Sequence, residues 1–260
     1  MTDVAGHNRR AWDQQVERGN QWTVPVGPEV IAAARKGDWH VVLTPTRPVP
    51  AAWFPPLEGA KTLCLASGGG QQAPILAAAG AEVTTLDNSP RQLAQDRLVA
   101  ERDGLQLATV LGDMRAMPMF ADQSFDLIFH PCSNCFVPDV RPVWREAFRV
   151  LKPGGVLLAG FFNPAAFIFD DALAEQGVLE VRYPLPYSDT ENLSPERLQR
   201  LVDAGEPFVF SHTLESLLGG QMEAGFAIVA MYEDVWPKQP ITKYMPAFLA
   251  TRAVRPPLPQ

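Results

Sequence analysis

The stretch Thr62-Leu63-Cys64-Leu65-Ala66-Ser67-Gly68-Gly69-Gly70 constrains this chain more than any other. A short apolar run, Thr62–Ala66, passes straight into three glycines. An Ala-rich stretch of helical character follows, up to Ala79, and Gly80 stops it. A strand that enters a helix through such a turn lets a ligand approach the backbone and opens the helix N-terminus toward it. The pattern then repeats: apolar strands at Val83–Leu86, Leu107–Leu111, Phe125–Phe129 and Val156–Phe161, with helices at Pro90 to about Arg102 and Val140 to Val150. Lys152-Pro153-Gly154-Gly155 reads as the loop that closes the second of these helices. Strands and helices alternating through short connections predict an α/β fold with a doubly wound sheet.

The flanks differ from this centre. Residues 1–56 form a lead-in with helical candidates from His7 to Arg18 and from Pro28 to Gly37, ending in the proline-rich connector Thr44–Pro56. Residues 57–260 make the main domain. Within it, 163–212 breaks the rhythm with Phe, Tyr, Pro and charge and reads as a cap inserted over one end of the sheet. A helix near Thr213–Ala224, a strand at Phe226–Met231 and an apolar stretch at Phe248–Val254 close the chain. Lys and Arg number 22 against 29 Asp and Glu, for a net charge of −7, which argues against a nucleic-acid partner. Three cysteines point to a reducing compartment, and the polar segment Met1–Arg10 lacks the apolar core of a signal peptide. Apolar runs such as Val156–Phe162 are shorter than the ~20 residues a membrane helix needs. The expectation is a cytoplasmic protein with no membrane partner, with homodimerisation left open.

Asp87 ends the second strand, 19 residues after Gly68. A carboxylate there can accept two hydrogen bonds from ribose hydroxyls. This leaves two cofactors open, because Gly68-Gly69-Gly70-Gln71-Gln72-Ala73 also fits the G-x-G-x-x-A dinucleotide fingerprint.

Further motifs appear downstream in order: Gly112-Asp113-Met114, Phe125-Asp126-Leu127-Ile128-Phe129, Val137-Pro138-Asp139, and Arg149-Val150-Leu151-Lys152-Pro153-Gly154-Gly155. With the glycine turn and Asp87, this series resembles the class I S-adenosylmethionine-dependent methyltransferases, in their broad type 11, small-molecule group. The resemblance spans about Lys61 to Gly160. It implies a Rossmann-like sheet, mostly parallel, with an antiparallel C-terminal strand; the lead-in, read as an N-terminal lid, and the insertion after the fifth strand fall outside it. It also implies methyl transfer from S-adenosylmethionine, leaving S-adenosylhomocysteine. Ala66, Ser67, Gly68 and Gly70 would wrap the methionine part, and Asp87 would hold the ribose diol. Asn88 and Gln92 would lie beside the adenine, with Asp113 on its amino group and the Met114 N–H on a ring nitrogen. The family usually carries an acid where this chain has Cys64, and a glycine where it has Ala66.

Methyl transfer is an in-line displacement, so the protein chiefly aligns nucleophile and methyl carbon. His130, closing the fourth strand, is the expected general base and a cofactor contact. Trp22, Asn134 and Phe162 are the expected acceptor-pocket residues. His130, Cys132 and Cys135 form an H-x-C-x-x-C cluster, but zinc needs a fourth ligand and the sequence offers no second pair, so no metal is expected. Two other functions compete. A nicotinamide oxidoreductase would want Tyr-x-x-x-Lys, and none of the four tyrosines has Lys four residues on. A non-catalytic S-adenosylmethionine-binding protein is made thinkable by Cys64.

Overall fold

The structure is a computed structural model and describes residues 3–257. Seven strands form one sheet in the order β3-β2-β1-β4-β5-β7-β6: β1 Lys61–Leu65, β2 Glu82–Asp87, β3 Leu107–Leu111, β4 Phe125–His130, β5 Leu151–Phe162, β6 Ala227–Asp234 and β7 Phe248–Val254. The first five are parallel, while β7 runs antiparallel to both β5 and β6. The strand order reverses between β1 and β4, which opens a crevice beyond their carboxyl ends.

Both faces of the sheet are buried at its centre, where β1, β4 and β5 are largely apolar runs. Side-chain alternation divides them. Leu63 and Leu65 pack on one face with Ile128, Trp144 and Leu157, while Cys64 packs on the other with Ile31, Leu76, Val99 and Phe129. The lead-in supplies α1 Val4–Glu17 and α2 Pro28–Ala34. Next come α3 Gln72–Ala78, α4 Pro90–Asp103 and α5 Arg141–Val150. Asp3 caps α1 and Ser89 caps α4, and Pro stands in the first turn of α2, α4 and α5, where its missing N–H costs nothing.

One local expectation needs correction. Lys152-Pro153-Gly154-Gly155 lies inside β5 rather than closing a helix. Its extra residues are absorbed as an irregularity, with Phe125 opposite Leu151 but Leu127 opposite Val156, and with Gly154 at φ +81°. The helix anticipated at Thr213–Ala224 is present, with Glu215–Gly219 wound as a π-helix that runs into a short α-helix.

The insertion folds into three short helices, α6 Asp171–Ala174, α7 Asp189–Asn192 and α8 Pro195–Ala204. At its centre the buried Asp170 carboxylate accepts from Arg197 at 2.8 Å and Tyr183 Oη at 3.3 Å. The connector after α2 is tied down differently. The buried Asp234 at the end of β6 accepts from Thr44 Oγ1, Thr46 N, Arg47 N and Val235 N, all between 2.7 and 3.0 Å. Glycine at position 160 lets this connector cross β5, since a Cβ there would lie 2.2 Å from Leu43 O.

Candidate active site

The crevice at the carboxyl ends of β1, β2 and β4 widens into a cleft of about 330 Å³, within the range of small-ligand sites. Ala66, Ser67 and Gly68 form its floor after β1. Asp87, Asn88 and Gln92 stand after β2, and Asp113, Met114 and Arg115 after β3. Its walls come from the lead-in, with Val4, Ala5, Asn8, Trp12 and Trp22 on one side and Leu43, Thr44 and Pro45 on the other.

The glycine turn is fixed by the protein itself. Gly68 N donates to Asp87 Oδ2 at 3.0 Å, Gly69 N to Gln92 O at 3.0 Å, and Gly70 N to Asp96 Oδ1 at 2.7 Å. A pyrophosphate-binding turn offers free amides to its anion. Here all three glycine N–H groups are taken, so the glycines set the shape of the turn and do not offer their own amides to a ligand. Gly70, expected to touch cofactor, does not border the cleft. It packs against the lead-in, and its carbonyl accepts from Val26 N at 2.9 Å.

Asp87 is set as an acceptor. Gly68 N holds Oδ2 and Ser89 N holds Oδ1 at 2.9 Å, which leaves one lone pair on each oxygen. Burial pushes its carboxyl up to about 6, against the opposing pull of the backbone N–H groups of Ser89, Gly68 and Asn88. Ser67 Oγ and Gln92 Oε1 are buried without a hydrogen-bond partner. Orphaned polar atoms beside an oriented carboxylate fit a polar nucleoside ligand. Asp113 is engaged from one side by a bidentate Arg115, with contacts of 2.6 to 3.1 Å. Burial would raise its carboxyl, but that guanidinium and the Arg115 N–H outweigh it and hold it below the usual range. Asn88 is spent on the lead-in: its Nδ2 donates to Ala5 O at 2.9 Å, and its Oδ1 accepts from Arg9 at 3.2 Å.

The structure corrects the place of two expected residues. His130 is fully buried and outside the cleft wall. Its Nδ1 donates to Leu65 O at 2.9 Å, and its ring meets the Trp144 indole edge-on at 5.9 Å. Burial lowers its pKa to about 4, so it is neutral at physiological pH and a weak base. Asn134 is buried too, and its Nδ2 donates to Gly160 O at 2.9 Å, so it shapes the loop rather than the pocket.

Trp22 and Phe162 do line the cleft. Phe162 packs with Phe248 at 4.5 Å and Trp236 at 5.3 Å between ring centres, while Trp12 meets Phe136 at 5.1 Å on the lead-in side. None of the insertion's aromatic residues Phe167, Phe169, Tyr183 and Tyr187 borders the cleft itself, but Phe167 backs Phe162 edge-on at 5.4 Å and Phe169 packs in the same cluster as Phe162, Trp236 and Phe248, while Tyr183 and Tyr187 pack within the cap. Burial pushes the Cys132 thiol well above its usual value and that of Cys135 to about 12, so neither is a thiolate at neutral pH. Among the described residues, no three His, Cys, Asp or Glu side chains gather into a metal site.

Residues not anticipated from sequence complete the site. Arg115 follows the Gly112-Asp113-Met114 motif directly and is held by its own hydrogen bonds to Asp113, whereas Trp236 arrives on the connection between β6 and β7. Asp96 did leave a signal: it follows Gln92 by one helical turn, a second polar residue on the face of α4 that buries Leu93 and Val99.

Residues 63–159 match the family described as "Methyltransferase domain". The "Uncharacterized methyltransferase YbaJ" of Bacillus subtilis (strain 168) is 50% identical over 255 residues, which span 98% of this chain and 100% of that one. The "Sterol 24-C-methyltransferase erg6" of Aspergillus fumigatus is 40% identical over 102 residues, 38% of this chain and 27% of the relative. Among solved structures, an S-adenosylmethionine-dependent methyltransferase from Mesorhizobium loti superimposes with a TM-score of 0.59 at 20% identity, over 78% of this chain and 94% of that one. That likeness is one of fold. A Rossmann-like sheet with a cleft at its switch point and an oriented carboxylate, Asp87, at the end of β2 fits this class. The chain belongs to the class I S-adenosylmethionine-dependent methyltransferases.

Proposed function

We propose that the cleft binds S-adenosylmethionine and that its methyl passes to an apolar small molecule. The observation that carries this is Asp87, a carboxylate at the carboxyl end of β2 with both oxygens oriented and lone pairs left toward the cleft. When bound, the cofactor supplies a methyl group on a sulfonium, whose leaving group departs as a neutral thioether. In this reading Asp87 accepts from the ribose hydroxyls. Ser67 and Gln92 complete their hydrogen bonding on the ligand, with Ala66 and Gly68 against its methionine part. Asn88 closes the lead-in beside the adenine, and Asp113 and Met114 flank its far edge.

The apolar acceptor is supported by the remaining wall. Leu43, Pro45, Phe136, Phe162, Trp236 and Phe248 supply hydrophobic surface, and the charged residues of the cleft, Asp87, Asp113 and Arg115, gather at the opposite, β2–β3 side. The sterol relatives, whose name states an apolar substrate, point the same way. With His130 turned away, these residues work by excluding water and aligning the acceptor, the contribution that orientation makes to displacement reactions.

Calorimetric titration with S-adenosylhomocysteine and NADH, followed by turnover on matched apolar and polar acceptors with methyl-labelled S-adenosylmethionine, tests the reading. One S-adenosylhomocysteine per chain, no NADH binding, and methylation confined to the apolar set are expected. Tight NADH binding, or methylation of polar acceptors alone, would refute it.

A further inference from the structure

The turn Gly68–Gly70 has more conformational freedom than any other residue type would give it, so ordering it costs more backbone entropy. Three contacts restrain it. Gly68 is held by β2 through Asp87, and Gly69 by α4 through the Gln92 carbonyl. Gly70, at φ +74°, is held by α4 through the Asp96 side chain, one turn further along the helix. Gly70 also receives Val26 N of the lead-in, so its position is passed on to the segment that bears Trp22.

Asp96 is completely buried. Its neighbours are the Cys64 thiol on β1, the Thr85 hydroxyl on β2, Asp87 beyond them and Arg97 beside it on α4. Oδ1 takes the Gly70 N–H, while Oδ2 and Thr85 Oγ1 lack a well-formed hydrogen bond. A buried carboxyl group with half its capacity unused costs stability. An apolar residue at this inward position of α4 would pack without that cost, but it would leave Gly70 N–H unpaired.

We propose that Asp96 is a positioning residue of the nucleoside site: from beneath the turn it acts as the hydrogen-bond acceptor that fixes Gly70, and through the turn it sets the Gly68 N–H against Asp87. This rests on the reading of the cleft as an S-adenosylmethionine site. Gly70 N–H asks only an acceptor oxygen of residue 96, which an amide oxygen supplies as well as a carboxyl oxygen. Burial, which pushes the Asp96 carboxyl up to about 8 with Asp87 adding to the rise, agrees with a role that does not depend on charge.

Two substitutions separate these roles. Asp96→Asn keeps an acceptor oxygen for Gly70, whereas Asp96→Val removes the acceptor together with the unpartnered oxygen. Amide exchange of Gly70 in the ligand-free protein, read by NMR, reports the anchor directly. Calorimetry with S-adenosylhomocysteine reports its consequence. Wild type and Asp96→Asn are expected to show a protected Gly70 amide and affinities within about threefold of each other. Asp96→Val should expose that amide and weaken S-adenosylhomocysteine at least tenfold. A Gly70 amide in wild type exchanging as fast as an exposed loop would overturn the proposal, and this measurement holds even if the Val variant fails to fold. So would an Asp96→Val variant that binds as wild type does, or an Asp96→Asn variant weakened tenfold. A protected Gly70 in a wild type that ignores S-adenosylhomocysteine would instead count against the cofactor reading while leaving the anchor in place.

Discussion

Replacing Asp87 by alanine is expected to weaken S-adenosylhomocysteine binding by about 1.5–3 kcal/mol, roughly tenfold to hundredfold, the range for hydrogen bonds to a charged acceptor. Two effects combine. The ribose hydroxyls lose their partner, and the Gly68 N–H that Asp87 now holds is released. The same carboxylate gives the affinity a pH dependence whose sign follows from its raised pKa of about 6. The ionised form is the acceptor, so full affinity is present above that value and is lost as pH falls through it. Linkage predicts binding about tenfold weaker at pH 5 than at pH 7, with the dependence abolished in Asp87→Asn. Calorimetry across that window checks both statements, and a flat profile in wild type would count against Asp87 as the ribose partner.

Deleting residues 1–22 is expected to produce a folded protein that binds S-adenosylhomocysteine roughly tenfold to hundredfold more weakly and loses turnover. The sheet begins at Lys61, so its two apolar faces survive the deletion. The cleft does not, because Val4, Asn8, Trp12 and Trp22 are part of its wall. Helix α1 is clamped along its length, among other contacts at His7, whose Nε2 lies 2.9 Å from Glu206 O. Asn8 Nδ2 donates to Phe136 O and Phe208 O, both at 3.0 Å. Ser89 Oγ donates to Asp13 Oδ1 at 2.6 Å, and Asn88 Nδ2 donates to Ala5 O. These contacts join α1 at once to the β2 end of the cleft and to the insertion. We read it as a lid, and full affinity and activity after the deletion would show that the segment serves packing alone.

The sheet was legible because its signals are local. Leu107–Leu111 and Phe248–Val254 coincide with their apolar runs, and Ser89-Pro90 marks the start of α4 as a cap followed by proline. The glycine turn and Asp87 were legible because a cofactor site at strand ends needs both at a fixed spacing. Misreadings arose where tertiary contacts decide. His130 stands at the right point in the chain, yet the pleat of β4 and its bond to Leu65 O turn the ring into the core beside Trp144. Lys152–Gly155 carries every turn signal, but it is drawn into β5 and continues beside Arg255, with Gly154 N donating to Arg255 O and Arg255 N to Gly155 O. The acceptor wall was half seen. Phe162 could be anticipated, but Trp236 arrives from far along the chain, on the connection between β6 and β7.

A crystal structure of the protein with S-adenosylhomocysteine tests the central claim most directly. The account predicts both ribose hydroxyls within hydrogen-bonding distance of the Asp87 carboxylate, with the adenine beside Asn88 and Met114 and the glycine amides still bound to Asp87, Gln92 and Asp96. A ligand whose ribose lies away from Asp87, or one that breaks those three amide contacts to reach the turn, would contradict it.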